Sequence, residues 1–192
     1  ASVKSFDQYQ RENAWTWEHM ALTRARVLFG SADARAQVNA IVADVLHSQR
    51  DPEKLRTDIA SMRKDMAAHK PPKGDLDVKL LPGGLVDMEF IIHRLQLETH
   101  AGLVPQLDPA IDALVTAGHL PADFANAYAL FARLLVMVRL IAPDCATPPE
   151  AAQALIAGSL GFAGWDALMT AIRDYRGVVM HEWQRLFGPR DF

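Results

Sequence analysis

Apolar residues recur along most of this chain at the three- and four-residue spacing of a helix face. Helices are predicted near 8–29, 32–48, 52–69, 85–101, 109–117, 122–142, 148–158 and 163–187. In 122–142, Phe124, Tyr128, Phe131, Leu135 and Val138 follow one side and Ala127, Leu130, Leu134, Met137 and Ile141 another, so this helix should be buried on both. The last helix carries a single stripe of Trp165, Leu168, Met169, Ile172, Tyr175, Val179, Trp183 and Leu186. At about 1.5 Å per residue it would run about 37 Å, long enough for its end to project.

Helix starts and stops have a chemical basis. Asp51-Pro52, Asp108-Pro109 and Thr147-Pro148 each place a capping side chain before a proline whose missing N–H costs nothing at the first helical position. Thr147 and Glu150 have capping-box spacing. Gly30, Gly118 and Gly188 are the expected stops. One stretch breaks the helical period: Leu76, Val78 and Leu80 alternate with Asp77 and Lys79 between proline- and glycine-rich flanks. The expected fold is all-α, a helical bundle with a short extended segment or hairpin near 75–81.

At 192 residues, half of them hydrophobic and 22% charged, the chain can close one main core. Its net charge of −3 offers no basic field for nucleic acid. The single cysteine, Cys145, rules out an internal disulfide and a four-thiolate zinc site. It has no histidine nearby in sequence to activate it, and is read as inert. With no 18-residue apolar run and no leader-like amino end, the expectation is a cytoplasmic protein without a membrane partner.

Several patterns carry candidate chemistry, each beside a plainer reading. Asp75 and Asp77 on one face of an extended segment resemble paired carboxylates that hold magnesium, but two solvated acids are the commoner case. Glu89 and His93 stand four apart, with His100 two turns on; this is metal-ligand spacing and also ordinary surface-pair spacing. Pro82-Gly83-Gly84 before a helix suits a phosphate, or simply a tight turn with Asp87 complementing the helix dipole. Arg24 and Arg26, read as lying on a helix with Trp15 and Trp17, suit phosphate contact or stacking and ion pairing.

The run from Tyr9 to Arg26 (YQRENAWTWEHMALTRAR) resembles a segment of the bifunctional glutamine synthetase adenylyltransferase/adenylyl-removing enzymes. Met62-Arg63-Lys64-Asp65-Met66-Ala67-Ala68-His69 is similar to a helix of that family. Asp77-Val78-Lys79 followed by Gly83-Gly84-Leu85-Val86-Asp87-Met88-Glu89-Phe90-Ile91-Ile92 is similar to its D-[IL]-K…G-G signature. The likeness covers residues 5 to about 140, and Leu80-Leu81 departs from a usually polar stretch.

The resemblance implies the helical C-terminal part of the adenylylating half, downstream of a nucleotidyltransferase domain that the chain does not include. Residues 1–30 would form a helix linking to that domain, and 31–192 a helical domain with a joint near 70–84. No catalytic residue and no metal ligand are expected in this fragment. Asp77, Lys79, Gly83, Gly84, Asp87 and Glu89 are its family-signature positions, and Arg24 and Arg26 its candidate phosphate contacts. The intact enzyme would use ATP and Mg²⁺ to attach AMP to a tyrosine of glutamine synthetase in nitrogen regulation, with glutamine synthetase and the PII signalling protein as partners. No cofactor is expected on the fragment itself. The competing expectation is a purely structural or protein-interaction module; a free-standing helical enzyme ranks last, because no complete set of nucleophile, base and metal ligands is visible.

Overall fold

The computed structural model describes residues 2–190, and among them the regular structure is entirely α-helical. In chain order the helices are α1 (Val3–Glu12), α2 (Thr16–Leu22), α3 (Ala32–Leu46), α4 (Pro52–His69), α5 (Leu85–Thr99), α6 (Leu107–Thr116), α7 (Ala122–Ile141), α8 (Glu150–Ser159) and α9 (Trp165–Phe187). The all-α expectation holds. The chain divides into two compact units: residues up to Met62 with Ile92–His119, and Arg63–Ile91 with the residues from Leu120 onward.

In the first unit α3 packs against α1 and α2. The single helix expected over 8–29 is two short ones, for a local electrostatic reason. The amides of Asn13 and Ala14 both turn back to the Tyr9 carbonyl and close α1. Glu18 then accepts from the Trp15 N–H at 2.8 Å and from the Tyr9 hydroxyl at 2.8 Å, capping a new start. α2 ends at Leu22, where the Thr23 hydroxyl takes the Met20 carbonyl at 2.7 Å in competition with the helical ladder.

The other ends follow the capping chemistry with two differences. The Ser31 hydroxyl accepts from Ala34 N–H, and Asp51 Oδ1 from the N–H groups of Glu53 and Lys54. Arg50 donates to the carbonyls of Val45, Leu46 and Ser48, a cation on the exposed acceptor end of α3. α6 starts at Leu107, so Asp108 lies in its first turn rather than before it, and Pro109 still falls where no N–H partner is required. Thr147 does not cap α8, which starts at Glu150. Each of two successive prolines keeps the residue before it extended, which delays the helix until both are passed.

In the second unit α7, α8 and α9 pack on one another. α7 buries Phe124, Ala127, Leu130, Phe131, Leu134 and Val138, while Tyr128, Leu135, Met137 and Ile141 are half-buried and Val136 and Leu140 exposed. The burial is one broad face rather than two full sides. By length and composition alone α7 is long and apolar enough to cross a membrane. Its buried face is occupied by packing within the unit. The end of α9 does not project: Leu186 and Phe187 are buried, and the Trp183 and Phe187 rings lie 4.3 Å apart.

The extended segment or hairpin expected at 75–81 is instead a run of turns. Asp77 N–H bonds to Gly74 O, those of Leu80 and Leu81 to Asp77 O, and that of Gly84 to Leu81 O. Leu76 and Val78 are buried as expected, but Asp77 is buried between them; turn bonds, with the Leu76 N–H reaching the Cys145 carbonyl, satisfy this backbone in place of a partner strand. Gly83, at φ 76°, leads directly into α5.

These environments predict opposite effects of adding one methyl group. At Gly84 a Cβ would run into the carbonyl oxygens of Val78 and Leu81, whereas at Gly177 in α9 nothing lies within 4 Å. Gly177→Ala should raise stability by about 0.5–1 kcal/mol through helix propensity. Gly84→Ala should lower it by about 1–3 kcal/mol through overpacking. Urea denaturation of the two variants checks the pair of signs.

Candidate functional site

The glycine-rich turn and the start of α5 converge on one carboxylate. Asp87 lies in the first turn of α5 and is fully buried. Its Oδ1 accepts from Arg63 Nε at 2.6 Å, and its Oδ2 from Gly83 N–H and Arg190 Nη2, each at 2.6 Å. Arg63, 2% exposed on the last turns of α4, also donates from Nη2 to the Leu80 carbonyl. Arg176 of α9 donates to the Pro82 carbonyl at 2.8 Å. Its pKa is held down by burial, with Asp87 and Asp75 opposing that effect. Arg190 also rests 4.8 Å over the Trp183 ring, a cation–π contact.

A buried charge is tolerable only when paired and hydrogen-bonded, and Asp87 is held by two charge-assisted arginine bonds and a backbone cap. The carboxylate thus ties together the end of α4, the 80–83 turn, the start of α5 and the chain beyond α9. Arg63 appeared in the sequence only as part of a helix-like motif, and Arg176 and Arg190 gave no signal at all. Their partners lie 24 to 103 residues away, beyond the reach of any local pattern.

The same geometry removes the phosphate reading of Pro82-Gly83-Gly84. The N–H of Gly83 goes to Asp87, that of Gly84 to Leu81 O, that of Leu85 to Val78 O and that of Val86 to Lys79 O. These amides already have acceptors, and the turn is structural. Gly83 is required by more than its positive φ, since a Cβ there would lie 2.5 Å from the Arg176 carbonyl oxygen.

The remaining candidates do not assemble as their spacing suggested. Asp75 is exposed while Asp77 is buried, so the two carboxylates do not share a face. Asp77 Oδ1 accepts from Leu80 N–H and Oδ2 from Lys73 N–H, a carboxylate stitching a turn. Lys79 is exposed and Glu89 half-buried. Arg24 and Arg26 are exposed but not on a helix; they follow α2, which the Thr23 bond has ended. Cys145 has a positive φ of 60° and a thiol pushed above its usual pKa by burial and by the Asp77 charge.

Among the described residues no three His, Cys, Asp or Glu side chains are grouped to hold a metal ion. His100 is tilted against His47, ring centroids 5.3 Å apart. His93 is buried, its Nδ1 3.0 Å from Thr23 Oγ1 and 2.9 Å from Gln96 Oε1. Thr23 gives its proton to Met20 O and Gln96 gives its amide proton to Gly102 O, so both present acceptors to the ring. The assigned tautomer therefore carries its proton on Nδ1.

Burial pushes the His93 pKa from 6.5 down to about 4; the Gln96 bond opposes the shift and the Arg24 charge adds to it. Between those values the unfolded chain binds a proton that the folded one refuses, so stability is lost as pH falls through this window. From about pH 7 to pH 5 the loss from this group should be about 2 kcal/mol. His93→Leu should lose less over the same interval; equal losses in the two proteins would contradict the assignment.

Comparison with known sequences places this architecture. A family model described as glutamate-ammonia ligase adenylyltransferase matches residues 1–41. Bifunctional glutamine synthetase adenylyltransferase/adenylyl-removing enzymes are similar over much more of the chain. The relative from Rhizobium meliloti is 40% identical over 163 residues, and that from Agrobacterium fabrum 36% over 163, each alignment covering 80% of this chain and 16% of the relative. The Brucella suis relative is 38% identical over 150 residues, covering 75% of this chain and 15% of its own length. The chain thus spans about one-sixth of the curated relatives it matches. Agreement of this extent, over the same chain that carries the tryptophan-rich and glycine-glycine signatures, means that the chain belongs with the bifunctional glutamine synthetase adenylyltransferase/adenylyl-removing enzymes, as the counterpart of a segment of their much longer chains.

Proposed function

We propose that this chain serves as the helical, non-catalytic portion of an enzyme that transfers AMP from ATP to a tyrosine of glutamine synthetase. The relationship to the long bifunctional enzymes across four-fifths of the chain carries the reading. The internal use of the signature residues supports it: Asp87, Gly83 and Asp77 hold turns and helix ends together, and both Asp77 oxygens are occupied by backbone donors. ATP and Mg²⁺ would be held by a nucleotidyltransferase domain outside this chain, and the site of action would be the cytoplasm. This fragment would support that domain, with residues 1–30 as the link to it and the joint near 70–84 organising the rest. Arg24 and Arg26, exposed on the segment after α2, would be the side chains that reach nucleotide phosphate.

A second reading, an interaction module for glutamine synthetase or the PII signalling protein, draws on the exposed apolar residues of the first unit. Trp15 is 71% exposed, Trp17 51%, Leu28 70% and Phe29 86%, a concentration of large apolar side chains that marks contact surfaces.

The test has two arms. Glutamine synthetase, ATP and Mg²⁺ incubated with this chain alone should show no added AMP by intact mass; adenylylation dependent on the chain would overturn the non-catalytic reading. In the longer enzyme, alanine at Arg24 or Arg26 should slow transfer roughly ten- to hundredfold, and Arg26→Ala should do so without lowering the melting temperature. Unchanged rates in both variants would leave these arginines to the interaction surface.

A further inference from the structure

The second unit contains a cleft that the reading above does not use. It has a volume of about 260 Å³ and lies where the 73–80 turns face the C-terminal half of α7 and the loop after it. Its apolar part is formed by Leu80, Leu135, Val138 and Pro143, with the Cys145 thiol beside them. Three cations line it as well: Lys73, Lys79 and Arg139, all exposed. None of the three side chains has an ion-pair partner among the described residues, unlike Arg11, Lys54, Arg56, Arg63, Arg94, Arg185 and Arg190.

The acidic groups near the cleft have other positions or engagements. Asp77 lines it, but both its oxygens accept backbone N–H groups, so it leaves the charge of the lining at about +2 without competing for the lysines. Asp144 acts on the Cys145 thiol from the adjacent position in the chain, yet does not line the cleft. Three cations without ion pairs around one depression, with a net lining charge of about +2, repel one another, and an anion is the partner that relieves this.

We propose that this cleft is a binding site for a small phosphate monoester, its phosphoryl group among Lys73, Lys79 and Arg139 and its organic body on Leu80, Leu135, Val138 and Pro143. Charge selects the class. A carboxylate would neutralise one cation and leave the others opposed, whereas a phosphate monoester brings about −1.5 to −2 charges and three strong acceptor oxygens near neutral pH. Lysine binds phosphate as a point charge, and the guanidinium of Arg139 adds a two-pronged donor. The apolar side of the cleft favours an ester with a carbon skeleton over the inorganic ion.

Phenyl phosphate, inorganic phosphate and benzoate, titrated calorimetrically into the whole chain at low salt, form the direct test. Phenyl phosphate should bind with a dissociation constant of about a millimolar or below, and at least several-fold more tightly than either of the others. Lys79→Met and Arg139→Met, both exposed positions whose folding is checked by melting temperature, should each weaken it about tenfold.

Cys145 provides an independent readout, since it is the only thiol and lines the cleft. Iodoacetamide should label it more slowly with phenyl phosphate present than without it. No binding at several millimolar, binding unchanged in both variants, or equal affinity for benzoate would each overturn the proposal. Preference for the inorganic ion would overturn its organic part.

Discussion

One buried carboxylate holds the second unit to its shape. Asp87 has no exposed surface and accepts from two arginines and a backbone amide, so its charge exists in the interior only because α4, the 80–83 turn and the chain after α9 each supply a donor. Removing any partner leaves a buried charge incompletely compensated, and the cost of doing so exceeds the net contribution of an intact pair. The glycines follow from this constraint. Gly83 must bring its N–H to Asp87 while passing against the Arg176 carbonyl, and Gly84 must pass the Val78 and Leu81 carbonyls, positions where a side chain has no room.

That arrangement gives the glycine-glycine signature a physical meaning. A motif of this kind before a helix suggests phosphate binding, but the amides that would do the binding are consumed by the turn and by Asp87 itself. The residues act by positioning backbone. In the first unit His93 occupies a comparable place: a buried neutral imidazole whose protonated nitrogen faces two acceptors provided by α5 and the end of α2.

The helices were legible because apolar spacing and capping are local. Asp51-Pro52 begins α4 as its chemistry requires, and the stripe on α9 is buried at Leu168, Ile172, Val179, Trp183 and Leu186. What escaped was decided by bonds between distant residues or by competition at one position. Glu18, caught by Tyr9 and Trp15, splits the first helix; Thr23 ends the second and takes Arg24 and Arg26 off it. The alternation at Leu76–Leu80 had the period of a strand, yet no neighbouring strand exists among the described residues, and side-chain and turn bonds to Asp77 take its place. Asp87 was legible as a helix-start residue but not as a buried anchor, because Arg63 and Arg190 reach it from far along the chain.

A double-mutant cycle on Arg63 and Asp87 tests this account most directly. Unfolding free energies of the parent, Arg63→Met, Asp87→Leu and the double variant would be measured by urea denaturation at neutral pH. Each single change should cost about 3–5 kcal/mol, because it strands the other partner's charge in the interior. The double change should cost about 2–3 kcal/mol less than their sum, which is the coupling between the two residues. Costs that add to within about 0.5 kcal/mol would contradict the claim that this buried pair governs the unit.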